Sequence, residues 1–349
     1  MLLALTFAVA LAQPPSAPTA AQLEEQDTCL TCHGDASLSV DLPSGEKRSL
    51  HVDLDRFKAS VHGKKLTCLD CHAEMKEIPH PERSFRTARD FSVAYYEQCK
   101  RCHFSEYTKT LDSVHYAALA RGDRTAPLCT DCHGSHEIAD PTKSRARIVD
   151  TCGTCHAGVS EAYRKSVHGQ ALGGPNAADV PVCNDCHRTH DVAGPREVDW
   201  RLKTPQLCGS CHGNQKLMAK YGLSTAVVTT YVSDFHGKTA SLRSREKSHA
   251  GDGAFVALCT DCHGVHDIMK ADAKSSPVMQ ANLQKTCQQC HPSASANFPA
   301  AWLSHYEPSF SKEPLVYGVK LFYMVFIPFM IVGLALQILL HLWRVVVNR

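Results

Sequence analysis

Two long apolar stretches stand out in a chain that otherwise mixes polar and apolar residues without a sustained period. Residues 2–12 form an apolar run that ends in Ala10-Leu11-Ala12, and residues 321–340 contain no formally charged side chain. Between them the sequence shows neither the period of long amphipathic helices nor the alternation of strands. It predicts short helices joined by loops that contain Gly and Pro.

The N-terminal run is typical of a secretory signal peptide over residues 1–12, although the usual basic residues before it are missing. A short buried helix is the alternative. Residues 13–26 contain Pro14, Pro15 and Pro18 and predict a Pro/Ala-rich flexible linker.

The C-terminal run predicts a transmembrane helix, because about 20 residues at 1.5 Å each cross the roughly 30 Å hydrocarbon layer. Arg344 and Arg349 follow this run and favour a cytoplasmic C-terminus. We therefore expect residues 315–349 to be a membrane anchor with a short cytoplasmic tail. Residues 27–310 would then face the periplasm from a bacterial inner membrane. A buried core helix is the alternative interpretation.

The amino-acid composition limits the kinds of site that the region between the two apolar stretches can form. The chain has 349 residues, of which only 7% are aromatic, together with 18 cysteines and 21 histidines. So many cysteines exclude an ordinary cytosolic enzyme and leave a disulfide scaffold, a zinc array or a covalent haem protein. The formal charge of +2, with no dense basic run, gives no indication of nucleic-acid binding.

The cysteine spacing decides among these classes, because all the cysteines fall in nine Cys-x-x-Cys-His motifs. Residues i and i+3 share one face of a helical turn, so two thiols can bond the two vinyl groups of one porphyrin. The adjoining histidine then supplies the proximal iron ligand. Zinc sites do not require histidine directly after each pair.

The motifs predict nine covalent c-type haems. The attachment cysteines are Cys29, Cys32, Cys68, Cys71, Cys99, Cys102, Cys129, Cys132, Cys152, Cys155, Cys183, Cys186, Cys208, Cys211, Cys259, Cys262, Cys287 and Cys290. The proximal histidines are His33, His72, His103, His133, His156, His187, His212, His263 and His291.

A second set of nine histidines provides candidates for the opposite face of each iron. Five occur in a Ser-Val-His segment or a variant of it, and four follow shortly after a motif and are called trailing histidines below. The first group is His62, His115, His168, His236 and His305, and the trailing histidines are His80, His136, His190 and His266. His51 and His249 fit neither pattern and are expected to be surface residues. Exposed or propionate-bonding side chains are the alternative for the whole set.

A trailing histidine three residues beyond a proximal ligand cannot reach the opposite face of the same iron. It must serve a neighbouring haem, which would bring adjacent haems close together. His80 is spaced differently from His72 than the other three are from their motifs.

The motifs follow a two-haem repeat. The repeats begin at Cys29, Cys99, Cys152 and Cys208, with a terminal half at Cys287, and each complete repeat contains two motifs, a Ser-Val-His-type segment and a trailing histidine. Residues 226–232 form an apolar, β-branched stretch that predicts a strand or a helical turn. The predicted fold is mostly irregular with short α-helices, built around stacked haems, plus one C-terminal transmembrane helix.

The Ser-Val-His-Gly and Cys-x-x-Cys-His-Gly-x-His-Asp/Glu-Ile runs resemble those of membrane-anchored multihaem cytochromes c of the cytochrome c3-like, doubled Cys-x-x-Cys-His group. The match is closest over residues 236–290 and extends over residues 29–305. Residues 314–344 are similar to the anchors of respiratory multihaem proteins that work with a cytochrome b. The resemblance implies electron relay between a membrane quinol-oxidising cytochrome b partner and periplasmic or extracellular acceptors, including periplasmic or outer-membrane cytochromes.

Two histidine ligands on every iron would leave no position for a substrate, so we expect an electron-transfer subunit without catalytic residues. A multihaem reductase for nitrite, hydroxylamine or a sulfur oxyanion is the alternative, and it requires one five-coordinate iron. His80 is the assignment most open to failure. A third interpretation is a subunit of an extracellular haem filament. The predicted membrane anchor argues against it. His341, at the cytoplasmic end of the span, could ligate a b-type haem shared with the partner or have no ligand role.

Overall fold

The computed structural model describes residues 17–81, 83–194, 198–245, 256–299, 305, 307–311 and 313–348. The chain divides into an N-terminal unit, Met1–Glu197, and a C-terminal unit, Val198–Arg349. The predicted signal peptide, the first residues of the linker and His249 lie outside the described residues.

Short helices dominate the N-terminal unit, with one antiparallel pair of strands in which Ser39 lies opposite Ser49. The strands are β1 (Ser39–Asp41) and β2 (Lys47–Ser49). The helices are α1 (Ala20–His33), α2 (Leu54–Ala59), α3 (Cys68–Cys71), α4 (Ala88–Tyr95), α5 (Phe104–Thr110), α6 (Val114–Ala120), α7 (Cys129–His133), α8 (Arg145–Gly153), α9 (Ala157–Lys165), α10 (Val167–Ala171) and α11 (Cys183–His187). Two 3₁₀ turns cover Tyr96–Arg101 and Ala177–Asp179.

The C-terminal unit is also built from short helices, followed by one long one. They are α12 (Val198–Leu202), α13 (Thr204–His212), α14 (Gln215–Ala219), α15 (Ala226–Ser233), α16 (Phe235–Arg245), α17 (Cys259–His263), α18 (Leu283–Gln288) and α19 (Pro314–Val347). The two units together confirm the predicted mostly irregular fold with short helices.

Two segments are helical where the sequence favoured something else or left the choice open. Helix α1 begins at Ala20, inside the predicted flexible linker, because Thr19 and Gln22 form a reciprocal capping box at its start. The β-branched stretch that begins at Ala226 is helix α15. There the hydroxyl of Thr230 donates to the carbonyl of Ala226 at 2.6 Å, which lets a β-branched residue bond within a helix.

The buried apolar core is small in the described residues. One cluster in the N-terminal unit contains Val149, Leu172, Val180 and Val182, and a cluster in the C-terminal unit contains Tyr231, Ala240, Val256 and Leu258. Ordering a chain costs about 1–2 kcal/mol per residue in backbone entropy. Two clusters of four buried residues contribute little against that cost, so most of the described helices pack without an apolar core of the chain's own.

Helix α19 differs from every other described helix in length and composition. It has 34 residues, its most apolar segment has a mean hydropathy of 2.3, and none of that segment is buried. By length and composition it can cross a membrane.

Candidate haem sites

The second motif of each complete repeat begins a helix whose first turn is closed by an aspartate. The Asp131 carboxylate in α7 accepts the amide N–H of Leu128 at 2.6 Å, and the Asp185 carboxylate in α11 accepts that of Val182 at 2.6 Å. Asp261 does the same for Leu258 at 2.8 Å. These bonds satisfy an amide that a helix start leaves unpaired, so the two cysteines stand on one face of a closed turn.

Ser113 and Ser166 cap the starts of the helices α6 and α10, which carry His115 and His168. The Ser113 hydroxyl accepts the amide of Tyr116 at 3.0 Å, and the Ser166 hydroxyl accepts that of Gly169 at 3.1 Å. In the variant segment Asp234 accepts the amide of Gly237 at 2.8 Å. The recurring sequence therefore encodes an N-cap that fixes where the imidazole points.

The glycine that follows most of these histidines is required by a close backbone approach. A Cβ at Gly63 would lie 1.9 Å from the carbonyl oxygen of Phe57, and one at Gly169 would lie 2.0 Å from that of Tyr163. No side chain fits at such a distance. The preceding helix can therefore pack directly against the segment that bears the histidine.

A left-handed residue separates the proximal histidine from the trailing one in three repeats. Gly134 and Gly264 have φ values of 78° and 82°, and Arg188 occupies the same place with φ of 69°. This conformation ends the motif helix and turns the chain away, as at many helix C-termini. The trailing histidine then leaves the site of its own motif.

The structure brings predicted proximal histidines next to predicted second histidines in seven described pairs, with ring centroids 5.9 to 6.4 Å apart. The pairs are His33 with His80 (6.2 Å), His103 with His62 (5.9 Å), His72 with His136 (6.3 Å), His156 with His115 (6.2 Å), His133 with His190 (6.1 Å), His291 with His236 (6.4 Å) and His263 with His305 (6.2 Å). Each pair joins one member of each set.

This separation fits two imidazoles bound to opposite sides of one metal ion. A metal–nitrogen bond of about 2.0–2.1 Å, with the ring centroid about 1.1 Å behind the nitrogen, places two such centroids about 6 Å apart. Among the described residues there is no group of three or more His, Cys, Asp or Glu side chains that could hold a metal ion. Paired imidazoles beside a Cys-x-x-Cys pair are the donor set of a haem iron with two histidine ligands.

Adjacent repeats exchange these histidines in both directions. His62 of the first repeat lies beside His103 of the second, and His136 of the second lies beside His72 of the first. A backbone bond of 2.9 Å from the amide of Val61 to the carbonyl of Ile138 joins the two segments.

The second and third repeats exchange histidines in the same way. His115 lies beside His156, and His190 lies beside His133. The amide of Val114 donates to the carbonyl of Val192 at 3.0 Å, so the register of the first exchange is reproduced.

Comparisons with known proteins give one family match and two relatives. Residues 123–213 match the sequence model of the family described as cytochrome c3. The chain is 24% identical over 272 residues to the multiheme cytochrome MtrA of Shewanella baltica, an alignment that covers 68% of this chain and 76% of that protein. It is 22% identical over 254 residues to the high-molecular-weight cytochrome c of Nitratidesulfovibrio vulgaris, covering 70% of this chain and 35% of that protein. No solved structure matches.

The chain is a multihaem c-type cytochrome. Such a protein binds its haems covalently and transfers electrons, and these two properties follow for this chain. The cytochrome spans about a third of the length of the second relative.

Hydrogen bonds from Nδ1–H groups to backbone carbonyls orient imidazoles of the cytochrome. Nδ1 of His33 lies 2.7 Å from the carbonyl oxygen of Leu50, and Nδ1 of His80 lies 2.9 Å from that of Glu77. A carbonyl requires a proton on Nδ1 and thereby leaves Nε2 as the atom that can bind iron. Burial lowers the pKa of His72 and His263, which favours the neutral imidazole that a metal needs.

The motifs of the cytochrome contact one another in the order of the sequence. Within repeats, the first thiols of the two motifs lie next to each other, as Cys99 and Cys129 do and as Cys152 and Cys183 do. Between repeats, Cys71 lies near Cys99. The same contacts recur as Cys29 with Cys68, Cys132 with Cys152, Cys208 with Cys259 and Cys262 with Cys287.

Four predicted ligands stand outside the seven described pairs. His168 and His187 belong to the N-terminal unit, and His212 and His266 belong to the C-terminal unit. All four make further interactions. The sequence did not show which second histidine lies beside which proximal histidine. The order in which Ser-Val-His segments and trailing histidines recur along the repeats could have indicated this pairing.

Proposed function

We propose that the cytochrome carries nine c-type haems, one at each Cys-x-x-Cys-His motif, and that every iron has two histidine ligands. The uniform separation of the seven histidine pairs carries this proposal. We assign the same role to His168, His187, His212 and His266, which brings the number of ligands to two for each of nine irons.

When bound, a haem supplies an iron that gains or loses one electron. The paired imidazoles of this chain occupy both sides of that position, so they exclude a substrate from it. Nothing in their arrangement favours the reductase alternative. The residues therefore support electron transfer as the function and leave catalysis to a partner.

The sequential contacts between motifs support a relay. Each attachment segment lies against the next one, through six motifs of the N-terminal unit and three of the C-terminal unit. A side-by-side order of this kind is what electron passage between neighbouring centres requires. We propose that electrons follow the order of the motifs within each unit.

We further propose that α19 anchors the cytochrome in a bacterial inner membrane, with the haem region in the periplasm after removal of the N-terminal apolar run. The exposed apolar surface of α19 and the charges of Arg344 and Arg349 support this orientation. The proposed partner is a quinol-oxidising membrane cytochrome b, and the acceptors are periplasmic or outer-membrane cytochromes.

His341 lies in α19 near its C-terminal end. We propose that it ligates a b-type haem shared with the membrane partner. Replacing His341 with Ala in membranes that contain the partner should remove one b-type absorption band and leave the c-type spectrum unchanged. An unaltered b-type band would rule out the shared haem.

The ligand assignment is tested on detergent-extracted, full-length cytochrome. A pyridine haemochrome assay should give nine haems per chain. Low-temperature EPR of the oxidised protein should show low-spin iron alone, and the reduced protein should not bind carbon monoxide. One high-spin iron that binds carbon monoxide would contradict the proposal and indicate the reductase.

A further inference from the structure

Aspartate distinguishes the second motif of every complete repeat from the first. Position three of the second motifs is Asp70, Asp131, Asp185 and Asp261, whereas the first motifs have Thr31, Arg101, Thr154 and Ser210 there. Closing the helix turn accounts for one lone pair of each carboxylate. It does not explain what the remaining carboxylate oxygens contact.

In three repeats an arginine from the chain before the first motif reaches this aspartate. Arg89 Nη1 lies 2.7 Å from Asp131, and Arg201 Nη2 lies 2.8 and 2.9 Å from the two oxygens of Asp261. Arg145 contacts Asp185 in the same way. Arg145 and Arg201 each lie seven residues before the first cysteine of their repeat, and Arg89 lies ten residues before it.

Two of these arginines, Arg89 and Arg145, also hold the backbone that leads into the second motif. Arg145 donates to the carbonyl of Val180 from Nε at 3.2 Å and from Nη2 at 2.8 Å. Arg89 Nε donates to the carbonyl of Arg124 at 2.8 Å, and its Nη2 donates to that of Ala126. Val180 and Ala126 are buried and each lies three residues before the first cysteine of a second motif. Each of these guanidinium groups therefore holds both the motif helix and the backbone segment that precedes it.

Arginine suits this task because its planar fork can donate to a carboxylate and a carbonyl at once, which a lysine ammonium does less well. The three pairs are only partly exposed, so they are more ordered than free surface ion pairs. In each of these repeats the pair joins the segment just before the first motif to the second motif, and the first thiols of the two motifs lie next to each other.

We propose that Arg89, Arg145 and Arg201 are positioning residues that set the separation and relative orientation of the two haems within the second, third and fourth repeats. This inference rests on the proposed function, because it requires a haem at both motifs of a repeat. It concerns how the haems are arranged and adds no ligand.

The first repeat provides an internal contrast. Gln22 stands seven residues before Cys29, and its side chain belongs to the capping box with Thr19. The second motif of that repeat is instead held from the following repeat, where Arg101 Nη1 donates to the carbonyl of Asp70 at 2.9 Å. The haem pair of the first repeat should therefore not respond to changes at the other three arginines.

The test uses full-length cytochrome with Arg145→Gln. Arg56→Gln is the matched control, since Arg56 pairs with Glu137 at 3.0 Å but is 65% exposed and joins no two motifs of one repeat. Circular dichroism in the Soret band reports the mutual orientation of neighbouring haems, and a pyridine haemochrome assay reports haem content. We expect Arg145→Gln to retain all haems and low-spin EPR signals but to lose the share of the Soret couplet that one of the four haem pairs contributes.

An Arg145→Gln couplet equal to that of the wild type and of Arg56→Gln would overturn the positioning role while the haem count and spin state leave the proposed function intact. Fewer haems or high-spin iron in the wild type would contradict the function itself. If Arg145→Gln fails to mature, Arg145→Lys replaces it. That variant keeps the charge but not the fork, so the couplet should fall by a smaller amount, and a wild-type couplet would again overturn the inference.

Discussion

The histidine pairs inside the N-terminal unit and the pair at its N-terminal end are built differently. His72 lies beside His136, which comes from the next repeat, and a backbone bond between Val61 and Ile138 joins the same two repeats. His33 instead lies beside His80 of its own repeat, and the Nδ1 atom of His80 contacts a carbonyl only three residues away. The inner repeats thus depend on one another, whereas the first repeat completes its terminal site alone.

The trailing histidines of the inner repeats and of the first repeat differ in the repeat whose proximal histidine they lie beside. An inner trailing histidine such as His136 or His190 always points back to the preceding repeat. In the first repeat, the trailing histidine His80 occupies the position beside His33 that a Ser-Val-His segment occupies beside His103 and His156. This explains why the spacing of His80 differs from that of the other three.

The largest expected effect comes from removing one ligand of each kind. His136→Ala and His80→Ala should each open one iron to carbon monoxide. His136→Ala should also weaken the joint between two repeats, so its thermal unfolding midpoint should fall further, by an extra loss on the order of 2 kcal/mol. Carbon monoxide difference spectra and thermal unfolding of the holoprotein measure both effects. Equal losses of stability in the two variants would contradict the contrast between inner and terminal sites.

A second prediction concerns the glycine behind His62, a histidine of the inner kind. Gly63→Ala should destabilise the cytochrome by about 3 kcal/mol, because its Cβ would meet the Phe57 carbonyl oxygen at 1.9 Å. Gly158→Ala in α9 is the control, since no atom lies within 4 Å of a Cβ there, and it should stabilise by up to about 1 kcal/mol. Denaturant unfolding of the two variants distinguishes steric conflict from a general response to alanine.

The serine cap of an inner segment should have a moderate effect. Ser113→Ala removes the acceptor of the Tyr116 amide and should cost about 1 kcal/mol, while Ser113→Asp should retain most of the stability. Thermal unfolding midpoints of the two variants provide the measurement. A loss in Ser113→Asp as large as in Ser113→Ala would show that buried volume, and not the cap, is what matters there.

The smallest effect is expected at the left-handed residue before the inner histidine His190. Arg188→Gly should stabilise the cytochrome by about 0.5 kcal/mol, because glycine adopts φ of 69° without the clash that a Cβ makes, while loss of the exposed Arg188–Asp191 ion pair offsets part of the gain. The reciprocal change Gly134→Arg should cost a similar amount. Denaturant unfolding of both variants tests this, and opposite signs are the expected result.

Much of the architecture was predictable because haem attachment is local in sequence. Nine motifs, two sets of nine histidines and a repeat with a terminal half follow from spacing alone. The predominance of short helices follows from the absence of any long period. The trailing histidines were expected to serve neighbouring haems, since a segment that carries one ligand cannot encircle the same porphyrin.

What sequence reasoning missed depends on contacts between distant segments. The partner of His62 is 41 positions away at His103, and nothing local to either residue specifies the other. Arg145 reaches Asp185 across 40 positions for the same reason. Helix α15 shows the opposite case. Its β-branched residues favour a strand locally, but the segment is helical where it packs beside a motif helix.

The two-way exchange gives an inner repeat a balanced stoichiometry. The second repeat contributes His103, His115, His133 and His136, sends two of these to its neighbours, and receives His62 and His190 in return. Under the proposed ligand assignment, inserting or excising one complete inner repeat would change the haem number by two and leave every remaining iron with two histidine ligands. The length of such a cytochrome can be adjusted in whole modules by recombination at repeat boundaries, with no new ligand to be invented.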